Sequence, residues 1–228
     1  VTARSADRLE ALATEIRDAG GRAVAVPADV SEKEEVFAAV ERVVAELGPI
    51  DLAIANAGIS ADGADLDSTE YLYRVNVFGM LALFHAVLPS MRERGRGHLV
   101  GIASIAGYQA FPGRGAYCGS KAAMRMELEA LRTELGPAGI AVTCVNPGFI
   151  RTPLTDRHDF DMPFLMDAEP AARKIVAAIG KRKAVYDFPW RMSMISRILR
   201  TMPRRWFDAF ARKRGEGKPR TQAKSGET

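Results

Sequence analysis

With 228 residues, 47% of them hydrophobic and 26% charged, the chain is long enough to bury one sizeable core and has the composition of an ordinary globular domain. Two cysteines, Cys118 and Cys144, exclude a disulfide framework and read as buried free thiols, so a cytoplasmic location is expected. The net charge of +4 is uneven: residues 1–180 carry 18 basic and 24 acidic side chains, residues 181–228 carry 14 and 4, which places any interaction with acidic surfaces at the C-terminal end.

Val1-Thr2-Ala3 reads as the end of a strand, and Leu9, Leu12, Ala13 and Ile16 mark one face of a helix over 5–19 that Gly20-Gly21 ends. Residues 23–26 form a short strand. Ser31 reads as the cap of the next helix, with Glu34 completing a capping box and Val36, Val40, Val43, Val44 and Leu47 forming its buried stripe. Gly48-Pro49 stops it before a strand over 50–55. Then come a long helix over 68–94, a strand over 98–103, a helix over 115–136, a strand over 140–145, a helix over 168–180 and a strand over 184–188. No apolar run is expected to reach the roughly 20 residues of a membrane span. Short apolar strands separated by helices predict a parallel sheet covered on both faces: an α/β, doubly wound, Rossmann-like three-layer domain over 1–188.

Tyr117 and Lys121 are four residues apart, so on a helix they share a face. A free phenol, with a pKa of about 10, is a poor base at neutral pH, and a neighbouring ammonium lowers that value. The pair then suits proton exchange with the oxygen of an alcohol or a carbonyl. Alone, it reads equally well as a surface tyrosine resting on a lysine stem. Its setting favours chemistry: Asn56-Ala57-Gly58, Ser104 and Asn146-Pro147-Gly148 end three consecutive strands, and sites on parallel sheets lie beyond the carboxyl ends of strands.

In order and spacing, Asn56-Ala57-Gly58, Asn76, Ser104, Tyr117-x-x-x-Lys121 and Pro147-Gly148 resemble the signature set of the short-chain dehydrogenases/reductases. The resemblance implies an NAD(P)-dependent oxidoreductase that moves a hydride between nicotinamide and a secondary alcohol or ketone. It implies Tyr117 as the catalytic acid/base and Lys121 as the residue that binds the nicotinamide ribose and lowers the tyrosine pKa. Ser104 would hydrogen-bond the substrate oxygen, and Asn76 would hold a relay water. Asp29 and Val30 would contact adenine, with Asn56, Ala57 and Gly58 beside the adenosine ribose. Pro147, Gly148, the Ile150 backbone and the Thr152 hydroxyl would hold the carboxamide. Arg4 stands where NAD-preferring members carry an acid, and an arginine pairs with a 2′-phosphate, so NADP is expected over NAD.

Ser104, Tyr108, Gln109, Tyr117 and Phe149 are expected at the substrate, with Phe111 on the same wall. Residues 153–167 would close the other side with Phe160, Met162, Phe164, Leu165 and Met166, an apolar set that predicts a hydrophobic small-molecule carbonyl or alcohol. Family members commonly pair through their two long helices, so a homodimer or homotetramer is expected. No metal is expected.

The family pattern opens on a strand, a glycine-rich turn and a helix that cradle the pyrophosphate, and Gly20-Gly21 closes a helix instead of opening one. In a doubly wound sheet that strand is central. The strands over 1–3 and 50–55 are therefore expected to lack a common neighbour, at roughly 1–3 kcal/mol for each backbone group left buried and unpaired. The expectation is that on the order of 30 further residues precede Val1. The competing reading is a non-catalytic protein that keeps the scaffold.

Residues 189–214 interleave Trp190, Met192, Met194, Ile195, Ile198, Leu199, Met202, Trp206, Phe207 and Phe210 with eight basic side chains, and Pro203 is expected to break the segment into two helices. Two readings stand: a terminal helix packed over the substrate pocket or a neighbouring subunit, and a peripheral anchor on an anionic membrane surface over 190–214. Nucleic acid is not expected, since no reading module accompanies the charge. Residues 215–228 read as a disordered tail.

Overall fold

The computed structural model describes residues 1–60, 65–152, 155 and 162–215. Thr2–Ala3 (β1) leads to Ala6–Asp18 (α1), Val26–Pro27 (β2), Lys33–Leu47 (α2) and Leu52–Ala55 (β3). Leu66–Tyr73 (α3), a π-turn at Arg74–Phe78 and Gly79–Glu93 (α4) run as one continuous helix. Gly97–Ile102 (β4), Gly115–Leu135 (α5), Ile140–Pro147 (β5), Ala168–Gly180 (α6) and Val185–Phe188 (β6) complete the alternation, and Trp190–Thr201 (α7) and Arg204–Gly215 (α8) follow. The break between α7 and α8 falls at Pro203, as its missing N–H and fixed φ require. The tail from 216 lies outside the described residues.

Strands β3, β4, β5 and β6 form one parallel sheet in that order, and β1 and β2 form a separate parallel pair. Among the described residues β1 and β3 share no strand neighbour, as the doubly wound order requires when its central strand is not in the sequence. The register pairs Ala55 with Gly101, Ile102 with Val145 and Pro147 with Phe188, so the carboxyl ends of four strands meet at one rim.

The sheet is covered from both sides. On one side Ala53, Ala55, Leu99, Val142 and Cys144 pack with Phe84, Leu88 and Met91 of α4 and with Met124 and Leu128 of α5. On the other, Val100 and Val145 pack with Ala171 and Ile179 of α6. Neighbouring strand residues therefore both bury apolar side chains, which is why these strands read as unbroken apolar runs. Leu52 and Ile54 point to the second side at the β3 edge, beyond the reach of α6, and each stays 43% exposed. Cys118 and Cys144 are buried free thiols.

Three details depart from expectation. Leu12 and Val44 are exposed, because Ala13 of α1 and Val36, Ala39 and Val40 of α2 define narrower seams whose edges these residues miss. The capping box at Ser31 does not form. The Ser31 amide and hydroxyl instead donate to Asp29 Oδ1 at 2.9 and 2.8 Å, and Glu35 Oε2 accepts from the Asp29 amide at 2.8 Å, so the turn before α2 is tied at Asp29, two residues earlier. An 18-residue stretch of the Leu66–Glu93 helix is long and apolar enough to cross a membrane, with a mean hydropathy of 1.4. It passes that test because Leu72, Val75, Met80, Phe84, Leu88 and Met91 face the protein's own core.

Candidate active site

Ser104 follows β4 in extended backbone and opens a short 3₁₀ turn, Ile105–Gly107, accepting from the Ala106 amide at 3.1 Å. That turn lies hard against α5: a Cβ on Gly107 would stand 2.8 Å from the Lys121 carbonyl group, so only glycine permits the approach. The approach sets the buried Ser104 hydroxyl beside the Tyr117 phenol.

Burial pushes the Tyr117 phenol above its ordinary value, while the Ser104 hydrogen bond and the Arg114 charge pull it down. The Arg114 guanidinium carbon is 5.7 Å from the Tyr117 ring centroid. The sequence pointed to Lys121 for that pull. Lys121 is buried, its ammonium donates to the Ile102 carbonyl at 3.0 Å, and it lies 5.9 Å from the ring centroid. Burial lowers its pKa to about 8.

Asn76 sits in the π-turn, wholly buried. Its Oδ1 accepts from the Ile59 amide at 2.8 Å; its Nδ2 donates to the Ile59 carbonyl and the Ser120 hydroxyl, both at 3.0 Å. Ser120 in turn donates to the Tyr117 carbonyl at 2.8 Å. Asn76 thus fastens the loop after β3 to the first turn of α5. π-turns recur at functional sites because the extra residue turns one side chain inward. A Cβ on Gly58 would stand 3.3 Å from both Asn76 Oδ1 and Lys121 Nζ, so the loop, the π-turn and α5 converge on one point.

The residues assigned to the other end of a dinucleotide gather separately. Arg4 donates to the Tyr71 hydroxyl at 3.0 Å, lies 3.9 Å from Asp29 Oδ2, and keeps most of its guanidinium in solvent. The Ser31 amide, then its hydroxyl and Arg4, hold the Asp29 carboxyl below its usual range, with burial opposing. Val30 packs beneath α4, where a Cβ on Gly79 would lie 2.7 Å from its carbonyl oxygen. Asn56 and Ala57 are exposed just past β3.

On the far side, the Pro147 carbonyl accepts from Ser104 at 3.4 Å, and the Gly148 amide donates to the Phe188 carbonyl at 2.7 Å. Ile150 bridges to Met166, while the Thr155 hydroxyl donates to its carbonyl at 2.8 Å and to the Thr152 carbonyl at 2.9 Å. The Thr152 hydroxyl lies 3.5 Å from the same Ile150 carbonyl. Gln109, Phe111 and Phe149 are half-buried, and Phe164 and Leu165 are exposed. Pro153 and Phe160 lie outside the described residues.

Tyr108, expected at the substrate, is tied to the end of β6. Its hydroxyl donates to Asp187 Oδ2 at 2.8 Å, and the Arg125 guanidinium lies 3.6 Å from its ring centroid. Asp187 also accepts from Asn146 Nδ2 at 2.8 Å and Arg197 at 2.9 Å. Asp187, Arg114 and Ser120 were missed from sequence. Asp187 closes a strand at the same rim as Ser104, so the strand-end rule that found Ser104 also applies to it.

The sequence pattern that defines the short chain dehydrogenases matches residues 1–162. The chain belongs to the short-chain dehydrogenase family. It is 36% identical to an "Uncharacterized oxidoreductase" of Myxococcus xanthus, across 92% of this chain and 85% of that one. A short-chain dehydrogenase from Sphingobium yanoikuyae, solved with NADPH, superposes with a TM-score of 0.75 at 27% identity, covering 98% of this chain and 87% of the other. L-Sorbose reductase from Gluconobacter frateurii, solved with NADPH and L-sorbose, gives 0.72 at 28% identity over 82% and 83%. With the family come its Rossmann-like parallel sheet and its oxidoreductase class.

Proposed function

We infer that the protein transfers a hydride between NADP(H) and a secondary alcohol or ketone of a hydrophobic molecule. The observation that carries this is the Ser104 hydroxyl set beside the Tyr117 phenol, with the Lys121 ammonium buried one helical turn away. Gly58 lets the loop after β3 approach Lys121 Nζ and Asn76 Oδ1 closely, which supports Lys121 as the residue that would hold the nicotinamide ribose. When bound, the nicotinamide supplies or accepts the hydride at carbon.

The chain's own residues handle the oxygen. Ser104 donates to the carbonyl oxygen and orients it toward Tyr117. In reduction Tyr117 gives that oxygen its proton, and in oxidation it takes the proton back; a phenol held protonated by burial is poised as the acid. The Lys121 ammonium is placed to hold ribose hydroxyls, and Asn76 fixes the first turn of α5 and a relay water. Pro147, Gly148, Ile150 and Thr152 would hold the carboxamide, and Asp29, Val30, Asn56 and Ala57 the adenosine. The exposed Arg4 guanidinium suits a 2′-phosphate, and the NADPH in the Sphingobium and Gluconobacter structures supports NADP over NAD.

Phe149, Phe164, Leu165 and Met166 support a hydrophobic substrate, with Gln109 and the hub-bound Tyr108 on the Ser104 side. Phe78 and Met126, both exposed at the α4 and α5 surface, support a homodimer through those helices.

The test is NADPH oxidation followed by absorbance against a panel of ketones from short ketoses to long-chain and cyclic ketones. Turnover that rises with apolar size is expected. NADPH binding without turnover of any ketone or alcohol in the panel would contradict the reading.

A further inference from the structure

The two C-terminal helices have an inner and an outer face. On the inner face of α7, Ser193 is buried, Met192 packs beside Gly148, and Arg197 reaches Asp187 at 2.9 Å. On the outer face, Trp190, Met194 and Ile198 recur every four residues, which sets them in one stripe with Ile195 beside it. Their exposures are 64%, 51%, 58% and 46%, and Trp206 on α8 is 60% exposed. Arg191 lies within the stripe, between Ile198 and Ile195 on the helix face; Arg204 and Arg205 are exposed at the start of α8, and α7 carries no acid.

We propose that this outer face of α7–α8 docks onto an anionic membrane surface, with the stripe at the level of the lipid headgroups and the arginines on lipid phosphates. Scattered exposed apolar residues are ordinary; a continuous stripe with tryptophan at its start and arginine within it is what a bilayer interface accommodates. Tryptophan rings favour that depth, and arginine stems reach from it to the phosphates. The charge asymmetry sets the orientation. Residues 1–180 carry a balance of −6 and residues 181–228 one of +10, so an anionic surface attracts this end and repels the body.

A second copy is the poorer occupant. Two α7 helices meeting on this face would set their Arg191 side chains against each other with no acid from either α7. A nucleic acid would use the arginines and leave the Met194, Ile195 and Ile198 side chains without a partner.

The location adds sense to the surface. The Arg191 guanidinium lies 5.8 Å from the Phe164 ring centroid, and the Phe207 and Phe111 rings are 6.0 Å apart. A bilayer under α7–α8 would therefore lie beside the wall through which a lipophilic substrate enters. Membrane docking itself rests on the helix face and not on the catalytic assignment.

The chain has two tryptophans, Trp190 and Trp206, both on these helices, so tryptophan emission, excited to the red of tyrosine absorption, reports on this surface alone. The full chain is titrated with phosphatidylcholine vesicles with and without phosphatidylglycerol, while emission and co-sedimentation are read together. A blue shift on the anionic vesicles, quenching by brominated acyl chains, and partition at least about tenfold weaker on pure phosphatidylcholine are expected. Met194→Ser/Ile195→Ser/Ile198→Ser should abolish the shift. Arg191→Gln should lower anionic partition about fivefold with the fold unchanged. If circular dichroism shows that the serine variant fails to fold, the arginine variant decides alone. Unshifted emission on anionic vesicles overturns the proposal. So does a wild-type chain that ignores vesicles and loses a dimer mass in sedimentation velocity once the stripe is changed to serine; the face is then an interface between copies.

Discussion

Tyr108 donates to Asp187 across 79 positions of sequence at 2.8 Å, tying the last strand to the turn that begins at Ser104. The Asp187 side chain is 6% exposed and also accepts from Asn146 and Arg197. Replacing it with alanine strands two buried or half-buried polar groups at once. Asp187→Ala should therefore lower the unfolding free energy by about 3 kcal/mol. Arg197→Ala removes the one partner whose side chain is 66% exposed and should cost under about 1 kcal/mol. Urea denaturation of the two variants checks this, and equal losses would show that the hub does not hold the turn.

The approach of Gly107 to α5 makes a second prediction. Gly107→Ala puts a Cβ 2.8 Å from the Lys121 carbonyl group, so the Ser104 turn must lift away from Tyr117. A fall in kcat of about tenfold or more is expected, with NADPH affinity little changed, since 1.4 kcal/mol of misplacement suffices. Unaltered kcat in a folded variant would separate the turn from catalysis.

Lys121 gives a pH dependence. Burial lowers its pKa from 10.5 to about 8, so the ammonium is present below pH 8 and lost above it. The free enzyme's kcat/KM should fall as pH rises through about 8, and Lys121→Arg, which does not titrate there, should flatten that limb. Stability runs the other way. Between pH 8 and 10.5 the unfolded chain binds more protons at this lysine than the folded one, so its contribution to stability improves as pH rises through that window. At pH 7 the buried ammonium is held at a cost of up to about 3 kcal/mol. Lys121→Met should accordingly raise the midpoint of urea denaturation at pH 7 while it destroys turnover.

Arg4 decides the cofactor in this account. Arg4→Ala should raise KM for NADPH about tenfold, the worth of one charge-assisted contact, and leave KM for NADH where it was. Parallel changes for both cofactors would remove the 2′-phosphate from its role.

Much of this was legible in the chain, for identifiable reasons. Strands buried on both sides read as apolar runs, and Pro203 divided α7 from α8 because a proline cannot continue a helix. Tyr117 and Lys121 were found by helix spacing, Ser104 by its place after a strand. The edges of the helical stripes were not legible, since a hydrophobic pattern cannot tell Leu12 from Ala13 when only a narrow seam is covered. The source of the downward pull on Tyr117 was not legible either. Helix spacing brings Lys121 near the phenol, but the Ile102 carbonyl, which accepts its hydrogen bond, comes from a strand 19 positions away. The tie between Tyr108 and Asp187 is set by tertiary structure alone.

The central claim is that Tyr117 is the proton donor and acceptor for the substrate oxygen. Its most direct test is single-turnover hydride transfer from NADPH in Tyr117→Phe, with NADPH affinity measured alongside by fluorescence. A rate lower by at least about 10²-fold is expected, with an affinity within a few-fold of the parent, as loss of a general acid requires. A transfer rate within a few-fold of the parent would contradict it.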